Sequence, residues 1–113
     1  MLHNILEKPL LLPQKDGLFK TVHLKDILYA EVHGAYIVVR YINGNSEPFA
    51  LSLTKLEETL PTYLFCRINR NSLVSIYRVD KVGKNYVEIA NKAFSLTDNF
   101  KKQFLARYYV PAG

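Results

Sequence analysis

A mainly β domain with two short helices is the fold that this 113-residue chain predicts, on three observations. Apolar and polar residues alternate through much of the first half, turn-forming residues interrupt that alternation, and only two stretches carry helical spacing. With 49% apolar residues the chain can bury one modest core. No Pro/Gly/Ser linker, low-complexity run or internal repeat divides it, so one compact unit is favoured.

The segments Leu18 to Leu24, Ile27 to Val32, Ala35 to Tyr41 and Pro48 to Leu53 read as strands. In the third, Ala35, Ile37, Val39 and Tyr41 share one face, while Tyr36, Val38 and Arg40 share the other. His33-Gly34 and Asn43-Gly44-Asn45 supply the turns between them, because Gly and Asn accept positive φ at little cost. The economical arrangement is an antiparallel meander. Thr54 is predicted to open a helix: its hydroxyl can cap the amide of Glu57, whose carboxylate can reach back, and Leu53, Leu56 and Leu60 recur at helical spacing. Pro61 ends it.

Phe65 to Ser75 follows, an apolar run holding two arginines and several small polar side chains, able to bury one face and offer donors on the other. Ile76 to Val82 and Asn85 to Ala90 read as strands joined around Gly83, with a short strand near Ala93 to Leu96. The last helix starts at Thr97 or Asp98, both acceptable caps, and carries the apolar stripe Phe100, Phe104 and Leu105. Lys101, Lys102 and Arg107 then face water or a partner.

Charge is unevenly divided. Residues 1–61 hold 6 basic and 7 acidic side chains, and residues 62–113 hold 9 and 3, so the whole net charge of +5 lies in the half containing the two arginines. A polyanion would meet that half first, although a basic surface also serves solubility alone. Cys66 is the single cysteine and cannot form an internal disulfide. No apolar stretch nears the roughly 18 residues of a membrane helix. Met1 to Leu12 carries Glu7 and Lys8 and lacks the pattern of a signal peptide. A reducing cytoplasm is the expected location. His3, His23 and His33 have no ligand spacing to Cys or carboxylates, and no metal or cofactor is expected. Phosphate-loop, nucleophile-elbow, zinc-protease and dinucleotide motifs are missing, which argues against an enzyme.

Several short motifs stand in a telling order: Asp26-Ile27-Leu28-Tyr29-Ala30-Glu31, Tyr36, Leu56-Glu57-Glu58-Thr59-Leu60, Phe65 to Ser75, and Leu96-Thr97-Asp98-Asn99-Phe100. Over about Lys15 to Arg107 this order and spacing resembles the LytTR family of bacterial DNA-binding domains. The family string of Arg, apolar, His, Arg, Ser, two apolar residues, Val and Asn is matched by Arg67, Ile68, Asn69, Arg70, Asn71, Ser72, Leu73, Val74 and Ser75. Asn69, Asn71 and Ser75 replace the family's His, Ser and Asn. Thr97-Asp98 stands where relatives often have Ser-Arg, whose arginine contacts DNA.

The resemblance implies an elongated antiparallel β-sheet architecture whose loops, rather than a recognition helix, enter successive grooves of DNA. It divides the chain into an N-terminal extension or leading strand (1–14), the DNA-binding domain (15–107) and a C-terminal tail (108–113). Arg70 takes the place of a DNA contact, and the turn at His33 approaches DNA from a second side. The candidate DNA-binding residues are therefore His33, Arg67, Asn69, Arg70, Asn71, Asp98, Asn99, Lys101 and Lys102. For Arg67 an anchoring role against loop carbonyls stands equally open, and Asn69 and Asn71 are also good turn formers. Asp98 is read as a helix cap rather than a base contact.

The function this predicts is sequence-specific binding of double-stranded DNA in bacterial transcription regulation, as the output module of a two-component or stand-alone response regulator. Relatives commonly follow a receiver domain phosphorylated by a sensor kinase and bind paired sites, often as homodimers. A β-rich protein-interaction module with a basic face is the alternative. Single-stranded nucleic-acid binding through stacked aromatics ranks third, because most aromatics alternate into the core.

Overall fold

The computed structural model describes residues 8–112 of the chain, which leaves Met1–Glu7 of the first segment, including His3, outside the described residues. Among the described residues ten strands and two α-helices follow one another: β1 (Leu10–Pro13), β2 (Phe19–Val22), β3 (Ile27–His33), β4 (Tyr36–Tyr41), β5 (Ser46–Phe49), α1 (Leu53–Thr59), β6 (Phe65–Asn69), β7 (Ser72–Ser75), β8 (Lys81–Val82), β9 (Tyr86–Ile89), β10 (Lys92–Ser95) and α2 (Asp98–Leu105). All pairings are antiparallel, in a two-stranded sheet β1-β2, a five-stranded sheet β5-β4-β3-β7-β6 and a three-stranded sheet β10-β9-β8. The molecule is elongated, 50 × 38 × 24 Å. This is the mainly β, two-helix architecture that alternation and turn chemistry predict.

Part of the five-stranded sheet is buried on both faces. Ala30, Phe65 and Leu73 join Ile37, Val39 and Phe49 under α1, whose Leu53 and Leu56 pack onto them. Their immediate neighbours Tyr29, Cys66 and Val74 point the other way, into a second core completed by Val87, Ile89, Phe94 and Phe104 of the small sheet and α2. Adjacent residues in a strand project to opposite faces, so this segregation follows directly from the pleat. Each large side chain buried here contributes about 1.5–3 kcal/mol before entropy is counted.

Local chemistry differs from the sequence reading at four places. Ser52, not Thr54, caps α1 and accepts the Lys55 amide at 3.0 Å. Thr54 lies inside the helix, where its hydroxyl serves a buried arginine, and Leu53 belongs to the helix rather than to the strand expected up to it. Ile76–Arg78 is a 3-10 turn and only Lys81–Val82 is extended, although the alternating residues mimic one continuous strand. Tertiary bonds override the local pattern there, because the Tyr108 hydroxyl donates to the Ile76 carbonyl at 2.7 Å and Arg78 to the Lys25 carbonyl at 2.8 Å. Finally, α2 starts at Asp98 with Thr97 in the cap position, so Asp98 occupies the first turn and is not the cap. Its charge there still suits the positive end of the helix dipole.

The β4–β5 turn is built as the Asn-Gly-Asn run predicts. Gly44 has φ 91° and donates to the Tyr41 carbonyl at 3.0 Å, while Tyr41 donates back to Asn45 at 2.8 Å. By the alternation of an antiparallel ladder, Pro48 then faces Val38 in a non-hydrogen-bonded pair, where its missing N–H costs no ladder bond. Beside it, burial raises the Glu47 carboxyl, but hydrogen bonds from Lys20 and Tyr41 and the Lys20 charge outweigh it, leaving Glu47 below the usual range.

Candidate nucleic-acid interface

The segment from Phe65 to Ser75 forms a hairpin of β6 and β7. A register shift between Arg67 and Asn69 marks a β-bulge. Before it the pleat alternates regularly, so Ile68 enters the second core with Cys66 while Arg67 points to the opposite side, toward α1. Arg70 and Asn71 form the tip. The Asn69 carbonyl oxygen Oδ1 accepts the Asn71 amide at 2.8 Å, the local bond that makes Asn a good turn former.

Arg67 is placed differently from Arg70. Its residue is buried, with Nη2 3.0 Å from the Thr54 hydroxyl and 3.2 Å from a Glu57 carboxylate oxygen, and Nη1 donating 2.9 Å to the backbone carbonyl of Arg70. Nε has no partner among the described residues. The guanidinium therefore supports the hairpin tip from behind. Arg70, by contrast, is exposed.

The tip is held on two further sides. Val32 of β3 donates to the Asn71 carbonyl at 2.9 Å, and Asn69 Nδ2 donates to the Ser95 carbonyl at 2.8 Å. The Thr97 amide, just before α2, donates to Ile68 at 3.1 Å. These bonds enclose an open cleft of about 500 Å³, lined on the hairpin side by Asn69, Arg70, Asn71 and Ser72 and on the other by Glu31, Lys92, Phe94, Ser95 and Thr97. An arginine fork and several amide and hydroxyl groups thus converge on one concave surface, able to bond base edges or phosphates.

A family model described as the LytTr DNA-binding domain matches residues 18–108 of the chain. The chain belongs to the LytTR family. Among solved structures, the LytTr DNA-binding domain of a protein described as a methyl-accepting/DNA response regulator from Bacillus cereus superposes on it with a TM-score of 0.73. The two are 17% identical, and the match covers 89% of this chain and 96% of that one. A comparison with curated proteins finds no match. The family's description makes this a DNA-binding domain.

Around the cleft of this LytTR domain the remaining candidates are dispersed. His33 is exposed at the end of β3, with Nε2 4.0 Å from a Glu31 oxygen, and the turn beyond it rests on Gly34 at φ 61°. Asp98, Asn99 and Lys102 are exposed in the first turns of α2, and the Thr97 hydroxyl donates to Asn99 Oδ1 at 2.9 Å. Lys101 is turned toward the β8–β9 connection, where it bonds the Lys84 carbonyl. Glu31, Lys92, Ser95 and Thr97 line the cleft without having been singled out as site residues. Glu31 and Lys92 lie 61 positions apart, and no local pattern connects them.

Other chemistry has little support in the geometry. Among the described residues no group of three or more His, Cys, Asp or Glu could hold a metal, and no helix is long and apolar enough to cross a membrane. Burial pushes the Cys66 thiol up despite the nearby Arg107 charge, the reverse of what an activated nucleophile requires.

Proposed function

We propose that this LytTR domain binds double-stranded DNA sequence-specifically, using the cleft between the β6–β7 tip and the start of α2. The observation that carries this reading is the convergence of exposed Arg70 with Asn69, Asn71 and Thr97 on one concave surface in the basic half of the chain. Lysines and arginines of that half, Lys101 and Lys102 among them, neutralise phosphates and supply affinity; Arg70 and the amides reach base edges and supply preference. Arg67 acts through Arg70, by fixing its backbone, rather than on DNA. Asn99 and the His33 turn flank the cleft as secondary contacts, and Asp98 stands where a family arginine would meet DNA, weakening that end of the interface.

In this reading the domain is the output module of a cytoplasmic two-component or stand-alone regulator. A receiver domain or sensor kinase governs it, and a homodimer occupies paired sites. The deciding experiment selects duplexes from a random-sequence library with the purified protein at about 150 mM salt, in the presence of competitor DNA. Enrichment of one short sequence supports the proposal. Failure to enrich any, with no shift of bulk duplex, transfers the cleft to the protein-interaction alternative.

A further inference from the structure

Glu31 is an unexpected group in a cleft meant for a polyanion. Its carboxylate lies on the same face of β3 as Tyr29 and is largely buried, with 22% of its side chain exposed. One oxygen, Oε1, receives the Lys92 ammonium at 2.7 Å. That ammonium is itself fixed, 5.0 Å from the centre of the Phe94 ring and 5.3 Å from that of Tyr29, and the two rings pack edge to face at 4.7 Å. The carboxylate is thus held by a cation that two aromatic faces and the second core keep in place.

Such a pair makes a poor trap for phosphate. Lys92 is neutralised by its neighbour, and a phosphate entering the cleft must displace or crowd a negative charge. The second oxygen, Oε2, has no hydrogen-bond partner among the described residues, and a carboxylate is acceptor-only. The group that fits an oriented, unpaired acceptor beside a DNA-binding arginine is an exocyclic base amine, the N4 of cytosine or the N6 of adenine.

Resting on the DNA-binding reading above, we infer that Glu31 is a specificity-determining residue: it accepts an exocyclic amine from one base of the site and penalises duplexes that present a carbonyl or a phosphate there. Lys92 is its positioning residue. The pair therefore raises the ratio of specific to random binding more than it raises affinity, complementing Arg70, which bonds acceptors such as guanine O6 and N7.

The test uses the whole protein and three variants, Glu31→Gln, Lys92→Met and Arg70→Ala, titrated with the library-selected duplex, its single-base variants and a random duplex, with melting temperatures measured in parallel. Glu31→Gln keeps the shape but both accepts and donates. It should tighten random-duplex binding severalfold and reduce discrimination at one base pair by about tenfold, with cytosine or adenine identified by which variant duplex recovers. Lys92→Met retains the apolar stem over the rings but deletes the ammonium that holds Oε1, so preference at the same base pair should also fall, by less than in Glu31→Gln, while the unneutralised carboxylate lowers affinity for all duplexes. If Glu31→Gln leaves every base preference intact while Arg70→Ala weakens binding, the pair is only a link between β3 and β10 and the inference is overturned; if Glu31→Gln loses preference and Lys92→Met does not, the positioning role of Lys92 is overturned. If Glu31→Gln and Arg70→Ala are both silent, the cleft is not the DNA site and the underlying reading falls as well.

Discussion

The two hairpin tips on this side of the molecule, β3–β4 and β6–β7, are built in opposite ways. The β6–β7 tip is braced by Arg67 from the α1 side, by Asn69 across its own turn and to Ser95, and by Val32 of the neighbouring strand. The β3–β4 tip relies on its ladder, on Gly34 in the left-handed region, and on the long contact from His33 to Glu31. A side chain that reads hydrogen-bond geometry gains from a fixed backbone, because less freedom is lost on binding. A glycine turn gives that up and can follow the shape it meets. On the proposed DNA-binding reading, this difference makes Arg70 the precise reader and His33 the adaptable contact.

Breaking the brace should have the largest effect. Arg67→Met is expected to cost about 2–3 kcal/mol in urea unfolding, since it strips Glu57 and Thr54 of their partner and leaves the Arg70 carbonyl unsupported, while Glu57 keeps partial access to water. DNA affinity measured below the melting transition should also fall. If stability is retained, the guanidinium is not what holds the tip.

Next in size is the contrast between the tips themselves. Arg70→Ala should weaken the selected duplex by about 1–3 kcal/mol and relax preference at one position, with the melting temperature unchanged. His33→Ala should cost under about 0.5 kcal/mol in the same titration. Equal losses would erase the distinction between a reading tip and an adaptable one.

The lysines of α2 extend the comparison from bases to phosphates. Replacing exposed Lys102 by Ala should weaken selected and random duplexes alike and lower the slope of log affinity against log salt by about 0.9. An unchanged slope would assign Lys102 to solvent. Lys101, already bound to the Lys84 carbonyl, should change the slope less.

The smallest expected effect is at Asp98. Asp98→Asn removes a negative charge beside the cleft and should tighten binding of all duplexes about twofold, with a loss of no more than about 0.5 kcal/mol in stability, because Thr97 rather than Asp98 holds the cap position. A large drop in melting temperature would mean that the carboxylate secures the helix start after all.

Much of the fold was legible because alternation is a local signal. Ile37 and Val39 are buried as their spacing predicts, Gly34 and Gly44 turn where they should, and Phe104 anchors the last helix in the core. What escaped is set by partners distant in sequence. Ile76 to Val82 alternates like a strand, yet Tyr108 and Lys25 bend its first residues into a 3-10 turn. Thr54 has the chemistry of a cap, yet a buried arginine takes its hydroxyl and Ser52 caps instead. In the candidate site, Arg67 and Arg70 look equivalent by type and spacing; what separates them is that Arg67 lies within β6 and faces Thr54 and Glu57 of α1, whereas Arg70 lies in the exposed turn. Glu31 and Lys92 become neighbours only when the small sheet closes over the large one.

Pro48 has a consequence for how copies of this domain can associate. It sits in β5, the outer strand of the five-stranded sheet, with its ring nitrogen on the side away from β4, so the edge lacks a donor at that step. At the other border, α2 packs along β6. A sheet blocked in this way resists growing by backbone pairing with another chain, the route by which open edges aggregate. If two copies of the domain occupy paired sites as proposed, side chains or the spacing of the sites on the duplex, rather than pairing at these two borders, would bring them together.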